Sequence, residues 1–147
     1  MRHVLATAML ISTLCTPVIT GGHASGDAVA GEGDFRQCRS CHSITDGDGN
    51  DIVKGGRTGP NLWGLPGSTA GSREDFPRYG DDLVAAGEAG LVWDEESFVA
   101  YVQDPAGFLK EHNGDSGARS MMSFRLRDAE DAVNIWAYIA SVSPEPD

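Results

Sequence analysis

The chain of 147 residues has only three cysteines and only eleven lysines and arginines. Three cysteines cannot form the framework of several disulfides that holds many small secreted folds together. The eleven basic residues stand against 22 acidic ones, and the resulting net charge of −11 argues against a general nucleic-acid-binding role. Apolar residues make up 40% of the chain, which is a globular proportion. This composition predicts one globular domain and excludes a disordered chain or a membrane bundle.

Long hydrophobic runs are also scarce, and the one clear example lies near the first residue. The run over residues 4–19 is apolar and almost uncharged, and it follows the basic start Met1-Arg2-His3. It is shorter than the roughly 20 apolar residues that span a bilayer. Gly22-His23-Ala24 then has the small residues of a signal-peptidase site. We therefore expect residues 1–24 to be a cleaved secretory signal peptide and residues 25–147 to be one periplasmic domain without a membrane anchor.

Cleavage after Ala24 would leave few side chains that bind soft or transition metals. Cys15 would be lost with the leader. The remaining candidates are Cys38, Cys41, His42, His112, Met121 and Met122. They form one short cluster, one adjacent pair and one isolated histidine.

The helix signals in the chain are short and are separated by long loops. Helices are predicted at residues 27–37, 81–88, 95–103 and 106–111, and a last helix follows Asp128. The apolar residues of the last helix recur at i, i+3, i+4 and i+7. No convincing strand is visible. The predicted fold class is all-α, with three to five short helices.

Residues 43–92 are mostly loop, punctuated by glycine and proline. So long a loop is unusual inside a compact domain. A disordered insert would not carry the large apolar side chains of this one, which are Leu62, Trp63, Leu65, Phe76, Tyr79, Leu83 and Trp93. These side chains indicate a large, flat, apolar partner, and a cofactor is the simplest candidate.

Cys38-Arg39-Ser40-Cys41-His42 has the C-x-x-C-H pattern of c-type haem attachment. Cysteines three residues apart on one helical turn present both sulfurs to the same side, where they match the two vinyl groups of a porphyrin edge. His42 is then held beneath the iron as its proximal ligand. A thioredoxin-like pair would follow a strand, and a zinc site using His112 would lack the usual spacings. The sequence predicts one covalently bound haem c per chain.

Further motifs occur in an order that resembles the class I cytochromes c, most closely the soluble bacterial cytochrome c2 type. The resemblance runs from Gly31 to Val142. The matching segments are Gly31-Glu32 with Phe35, Cys38 to His42, Thr58-Gly59-Pro60-Asn61-Leu62, Phe76, Tyr79, Trp93-Asp94-Glu95-Glu96, Tyr101, Asp104 to Glu111, Met122-Ser123-Phe124 and Ala137-Tyr138-Ile139. The resemblance implies a small cytochrome c fold whose loops wrap around one covalent haem.

The resemblance also implies roles for single residues around the haem. His42 and Met122 correspond to the axial iron ligands, although Met121 places a second thioether beside Met122. Pro60 corresponds to the residue whose carbonyl accepts a hydrogen bond from the ring of His42. The haem pocket would further contain Tyr79 and Trp93 as propionate donors and Tyr101 near the methionine sulfur. Gly31 and Phe35 are expected to meet the last helix near Ile135 and Tyr138.

One departure from the family pattern concerns a cation near a propionate. The family often has an arginine at the position of Ser68. Arg73 and Arg78 are the two candidates that would replace it.

The implied function is that of a soluble periplasmic one-electron carrier, monomeric and not an enzyme. Its partners would be a cytochrome bc1-type donor and an oxidase or reaction-centre acceptor, in respiration or photosynthesis, and no nucleic acid. The alternative is a haem enzyme or gas sensor with a labile distal ligand. His112 is the one candidate for distal acid–base chemistry in that case.

The charges divide into two regions. We call residues 36–57 and 119–127 the cationic rim. It contains three carboxylates and seven basic residues, namely Arg36, Arg39, Lys54, Arg57, Arg119, Arg125 and Arg127. We call residues 74–104 the acidic body. It contains nine carboxylates and a single basic residue, Arg78. The asymmetry predicts that the haem edge is steered towards an acidic partner surface.

Overall fold

A computed structural model describes residues 24–146 of the chain. The predicted signal peptide, except for Ala24, lies outside the described residues. The elements, in order, are α1 (Ala28–Asp34), a 3-10 turn (Phe35–Gln37), β1 (Ile44–Thr45), β2 (Asp51–Val53), α2 (Asp81–Glu88), α3 (Glu95–Gln103), α4 (Pro105–His112) and α5 (Ala129–Val142). Five short helices with long connections confirm the predicted all-α class.

Aspartate side chains begin four of these helices, as expected from their preference for the N-cap position. Each of them accepts a hydrogen bond from a backbone N–H of the first turn, and they are Asp27, Asp94, Asp104 and Asp128. Asp94 and Ser97 form a reciprocal capping box on α3. Pro105 occupies the first turn of α4, where its missing N–H costs nothing. These local signals explain why the helix positions could be predicted.

The crossing of α1 and α5 forms the frame of the molecule. A Cβ atom on Gly31 would lie 1.9 Å from the backbone oxygen of Asn134, so only glycine allows the two helices to approach this closely. The ring of Phe35 meets that of Tyr138 edge-on, with 6.0 Å between centroids. Ile135 and Ile139 of α5 are fully buried beside them. The predicted contact between Gly31, Phe35 and the last helix is therefore observed.

The prediction that the chain has no strand is wrong at one place. Strands β1 and β2 form an antiparallel hairpin in which Ile44 pairs with Val53. In the connecting loop, the Asp46 carboxylate accepts hydrogen bonds from the backbone N–H groups of Asp48 and Asn50, at 3.0 and 2.8 Å. Strands of two and three residues are too short to show an alternating pattern, so periodicity could not reveal them.

The loop after the hairpin returns along the C-x-x-C-H segment. Gly56 N donates to Arg39 O at 2.9 Å, and Gly59 N donates to Cys41 O at 2.9 Å. A Cβ atom on Gly55 would lie 1.9 Å from the carbonyl oxygen of His42. Glycines therefore allow two backbone segments to lie side by side, and this arrangement places residues 58–60 next to the histidine.

Candidate functional site

The C-x-x-C-H segment forms one helical turn directly after the 3-10 turn. His42 N donates to Cys38 O at 2.9 Å, and Cys41 N donates to the same oxygen at 3.1 Å. The turn brings both cysteines and the histidine to the wall of one cavity.

The two thiols have different surroundings. Burial raises the pKa of Cys38 to about 12, with a smaller contribution from nearby Cys41. Cys41 is exposed, and hydrogen bonds from Thr58 and then Ser40 lower its pKa. Because the thiolate is the nucleophilic form, Cys41 is the more readily activated thiol. The role of Thr58 was not predicted, although its position in the Thr58–Leu62 motif was a signal.

The His42 ring is held from two sides. Its Nδ1 donates to the Pro60 carbonyl oxygen, 2.8 Å away. A Cβ atom on Gly59 would lie 2.3 Å from His42 Cε1, so glycine makes room for the ring. Burial lowers the pKa of His42, and the Pro60 hydrogen bond opposes this effect only in part. The imidazole is therefore neutral at pH 7 and keeps the lone pair of Nε2, as a metal ligand must.

The distal candidates are ordered by a short hydrogen-bond network. The Tyr101 hydroxyl and Ser120 Oγ lie 3.0 Å apart, and Met122 N donates to Ser120 Oγ at 3.1 Å. Met122 is half-buried and packs against the core, whereas Met121 is 77% exposed. The backbone of Met122 is thus fixed, whereas the Met121 side chain is largely exposed, although it lines the same cavity as Met122.

These residues surround a cavity of about 230 Å³. Seven predicted site residues line it, namely Cys38, Cys41, His42, Pro60, Tyr79, Tyr101 and Met122. Met121, Phe76, Leu83 and Phe124 add apolar surface, and no carboxylate is among the described lining residues. An apolar wall that carries two thiols, a neutral imidazole and the thioethers of two methionines fits a haem held by two covalent thioether bonds and two iron ligands.

Trp93 is the predicted pocket residue that the structure does not bring to the cavity wall. It is buried, its ring lies edge-on to Tyr101 with 5.2 Å between centroids, and it stacks on Phe108 at 6.5 Å. Trp93 therefore contacts a lining residue, Tyr101, without lining the cavity itself.

A larger groove of about 590 Å³ contains none of the predicted haem residues. It is lined by residues 90–92 and by side chains of α3 and α4, among them His112. The His112 ring stacks on Phe108, with 5.7 Å between centroids. His112 therefore does not belong to the cavity formed by the cysteines and His42.

The two candidate arginines near the cavity differ in their contacts. Arg73 Nη1 donates to the Trp63 carbonyl at 2.6 Å, and its other nitrogens hold both carboxylate oxygens of Asp75 at 3.1 Å. Arg78 is exposed, donates a hydrogen bond to the Arg57 carbonyl oxygen and lies over the ring of Phe76. Burial raises the pKa of Tyr79, and the positive charge of Arg73 opposes that rise. Arg73 is thus a fixed cation within electrostatic range of a cavity residue.

Comparison with known proteins agrees with this geometry. No family model matches the chain. The chain is 52% identical over 143 residues to cytochrome c-551 of Roseobacter denitrificans, with 97% of each chain covered. It is 50% identical over 122 residues to cytochrome c2 of Cereibacter sphaeroides, which covers 82% of this chain and 98% of the relative. The chain belongs to the class I c-type cytochromes of the cytochrome c2 type.

Solved structures support the assignment to the cytochrome c2 type. The crystal structure of cytochrome c2 from Rhodobacter sphaeroides superposes with a TM-score of 0.80 at 50% identity, covering 83% of this chain and all of that one (100%). Ferric cytochrome c-550 from Paracoccus versutus superposes with a TM-score of 0.77 at 42% identity, covering 82% of this chain and 100% of the other. This cytochrome therefore carries one covalently bound haem c, as predicted, and functions in electron transport.

Proposed function

We propose that this cytochrome is a soluble periplasmic one-electron carrier whose haem is bound to Cys38 and Cys41 and ligated by His42 and Met122. The observation that carries the proposal is that all four side chains line one cavity. When bound, the haem would supply the one-electron Fe(III)/Fe(II) couple, and His42 and Met122 would hold its iron, where a thioether ligand raises the potential. The chain keeps the imidazole neutral and oriented.

The remaining pocket residues position these ligands. Pro60 orients the imidazole through its carbonyl, and Tyr101 with Ser120 holds the segment that carries Met122. We propose Tyr79, which is half-buried in the cavity wall, as a donor to a haem propionate. Trp93, whose ring packs edge-on against Tyr101, would serve as a second donor.

The alternative, a haem enzyme or gas sensor, requires an open iron position and a nearby acid–base group. The described residues that line the cavity include no carboxylate and no histidine other than His42. His112 lines the larger groove instead. The structure therefore favours a carrier over an enzyme.

We further propose that residues 1–24 are a signal peptide and that the mature monomer, residues 25–147, works in the periplasm. None of the helices among residues 24–146 has the length and apolar character needed to cross a membrane. Its partners would be a cytochrome bc1-type donor and an oxidase or reaction-centre acceptor. Arg36, Arg39, Lys54 and Arg57 of the cationic rim are exposed, which suits an acidic docking surface.

Carbon monoxide tests the ligand set. Added to the reduced protein at neutral pH, it should hardly change the visible spectrum, because Met122 occupies the sixth iron position. Met122→Ala should bind carbon monoxide rapidly, while the matched variant Met121→Ala should behave like the parent protein. Rapid and complete binding by the parent protein would contradict the carrier assignment and support the sensor or enzyme.

A further inference from the structure

The first described residues are bound to α3 and α5. Ser25 N donates to Glu95 Oε2 at 2.6 Å, and Ser25 Oγ donates to Glu95 Oε1 at 2.5 Å. Asp27 N donates to the side-chain oxygen of Asn134 at 2.9 Å. A Cβ atom on Gly26 would lie 2.4 Å from the backbone oxygen of Val133. Residues 25–27 therefore follow one fixed path across the frame and lead directly into α1.

This contact lies at the predicted signal-peptidase site. The bond that would be cleaved joins Ala24 to Ser25, and the nitrogen of that bond is the atom that donates to Glu95. Hydrolysis by one water molecule leaves a carboxylate on Ala24 and an α-amine on Ser25. An α-amine with an ordinary pKa of about 7.7–8.0 is mostly protonated at neutral pH. Cleavage would thus place a positive charge 2.6 Å from a carboxylate oxygen.

We propose that Glu95 is the binding site for the mature N-terminus, and that cleavage after Ala24 converts the Ser25–Glu95 hydrogen bond into an ion pair. The inference rests on the proposed export of the chain. Two donors on one residue, the α-ammonium and the hydroxyl, meet both oxygens of one carboxylate, and this fixed geometry distinguishes the contact from an ordinary exposed pair. The ion pair would fasten the start of α1 to α3 and thereby support the frame.

A thermodynamic cycle on the exported holoprotein tests the ion pair. It combines acetylation of the α-amine with the substitution Glu95→Gln. The α-amine is acetylated at about pH 6.5, where the lysine amines, with ordinary pKa values of about 10.4, stay protonated and unreactive. Acetylation removes the charge and leaves one Ser25 N–H in an amide, like that of the Ala24–Ser25 peptide bond. Glu95→Gln should lower the folding equilibrium constant about fivefold, or about 1 kcal/mol, when the amine is free. After acetylation the same substitution should have much less effect, because the charge that it pairs with is gone.

Glu96→Gln is the matched control, since Glu96 is exposed on the same helical turn. Its effect should be the same with a free and with an acetylated amine. Intact mass must also show a mature chain that begins at Ser25. A chain that begins elsewhere, or effects of acetylation and Glu95→Gln that simply add, would overturn the proposal. The carbon monoxide response is independent of this cycle, so a failure of the carrier assignment and a failure of the ion pair are distinguishable.

Discussion

The frame and the haem crevice differ in how their side chains are buried. The haem crevice is the set of residues that line the cavity of about 230 Å³. In the frame, Phe35, Ile135 and Ile139 are fully buried by other protein groups. In the crevice, His42, Tyr79 and Met122 are only half-buried around an open cavity. The frame is therefore complete as polypeptide, whereas the crevice depends on the haem to cover its walls. Stability should respond most to packing in the frame, and haem properties should respond most to the crevice.

Two glycines illustrate the same difference. Gly31 allows one backbone to approach another, since a Cβ atom there would meet Asn134 O. Gly59 makes room for the side chain that we propose as an iron ligand, since a Cβ atom there would meet the His42 ring. A helix backbone cannot move aside cheaply, but an imidazole can rotate at the expense of its hydrogen bond.

The largest effect is expected from loss of haem attachment. Cys38→Ala or Cys41→Ala should each remove one thioether and most of the assembled holoprotein, because the crevice has little core without haem. His42→Ala should be worse, since it also removes an iron ligand. Denaturing gels stained for haem, normalised to protein, measure the effect, with Cys15→Ala, in the proposed signal peptide, as a control. Equal staining of all variants would show that the crevice does not depend on these bonds.

Next in size is the effect of a methyl group in the frame. Gly31→Ala should lower the free energy of unfolding by about 3 kcal/mol, because the new Cβ overlaps the backbone of α5. Gly33→Ala, on the same helix with no atom within 4 Å of its Cβ, should be neutral or stabilise by up to about 1 kcal/mol. Urea unfolding of the holoproteins measures both. Equal values for the two variants would mean that the α1–α5 crossing does not limit stability.

The matching substitution in the crevice sharpens the comparison. Gly59→Ala should cost less, about 2 kcal/mol, because the His42 ring can turn away from the new methyl group. The same movement weakens the His42–Pro60 hydrogen bond, so the visible spectrum and the reduction potential should change. Gly31→Ala should leave both unchanged. A Gly59→Ala protein with a parent-like spectrum and potential would show that the His42–Pro60 hydrogen bond does not control these two properties.

A smaller effect is expected from the hydroxyl network beside Met122. Tyr101→Phe removes the hydrogen bond to Ser120 Oγ and should cost about 1 kcal/mol. Because Ser120 also holds Met122 N, the methionine ligand should dissociate at a lower temperature than in the parent protein. The absorption of the methionine–iron bond, followed on heating, reports this step. A loss of global stability without earlier ligand loss would assign Tyr101 to packing alone.

Charge reversal on the surface should have the smallest effect on the folded protein. Arg39→Glu and Arg119→Glu in the cationic rim should slow second-order electron transfer to an acidic partner without altering the spectrum. Glu88→Lys on the acidic body is the matched control and should have much less effect. The difference should shrink as salt shortens the Debye length to about 8–10 Å and below. A rate that rises with salt would show that the cationic rim is not the docking face.

Part of this architecture could be predicted because its signals are local. Asp94 and Pro105 mark helix starts within one turn, and the C-x-x-C-H motif specifies its cofactor within five residues. The hairpin at residues 44–53 could not be predicted, since its strands pair across a turn and are too short to carry a pattern. The contact of Thr58 with Cys41 joins segments that meet only after the loop folds back.

The sequence by itself determined the haem, the family and the positions of the helices, because each depends on neighbouring residues or on an ordered set of motifs. Only the tertiary structure decided which side chains reach the cavity. It placed Trp93 behind Tyr101, held Arg73 by hydrogen bonds to Trp63 and Asp75 and Arg78 by one to Arg57, and left Met121 far more exposed than Met122. These outcomes depend on packing between segments far apart in the chain, for which residue type and spacing carry no signal.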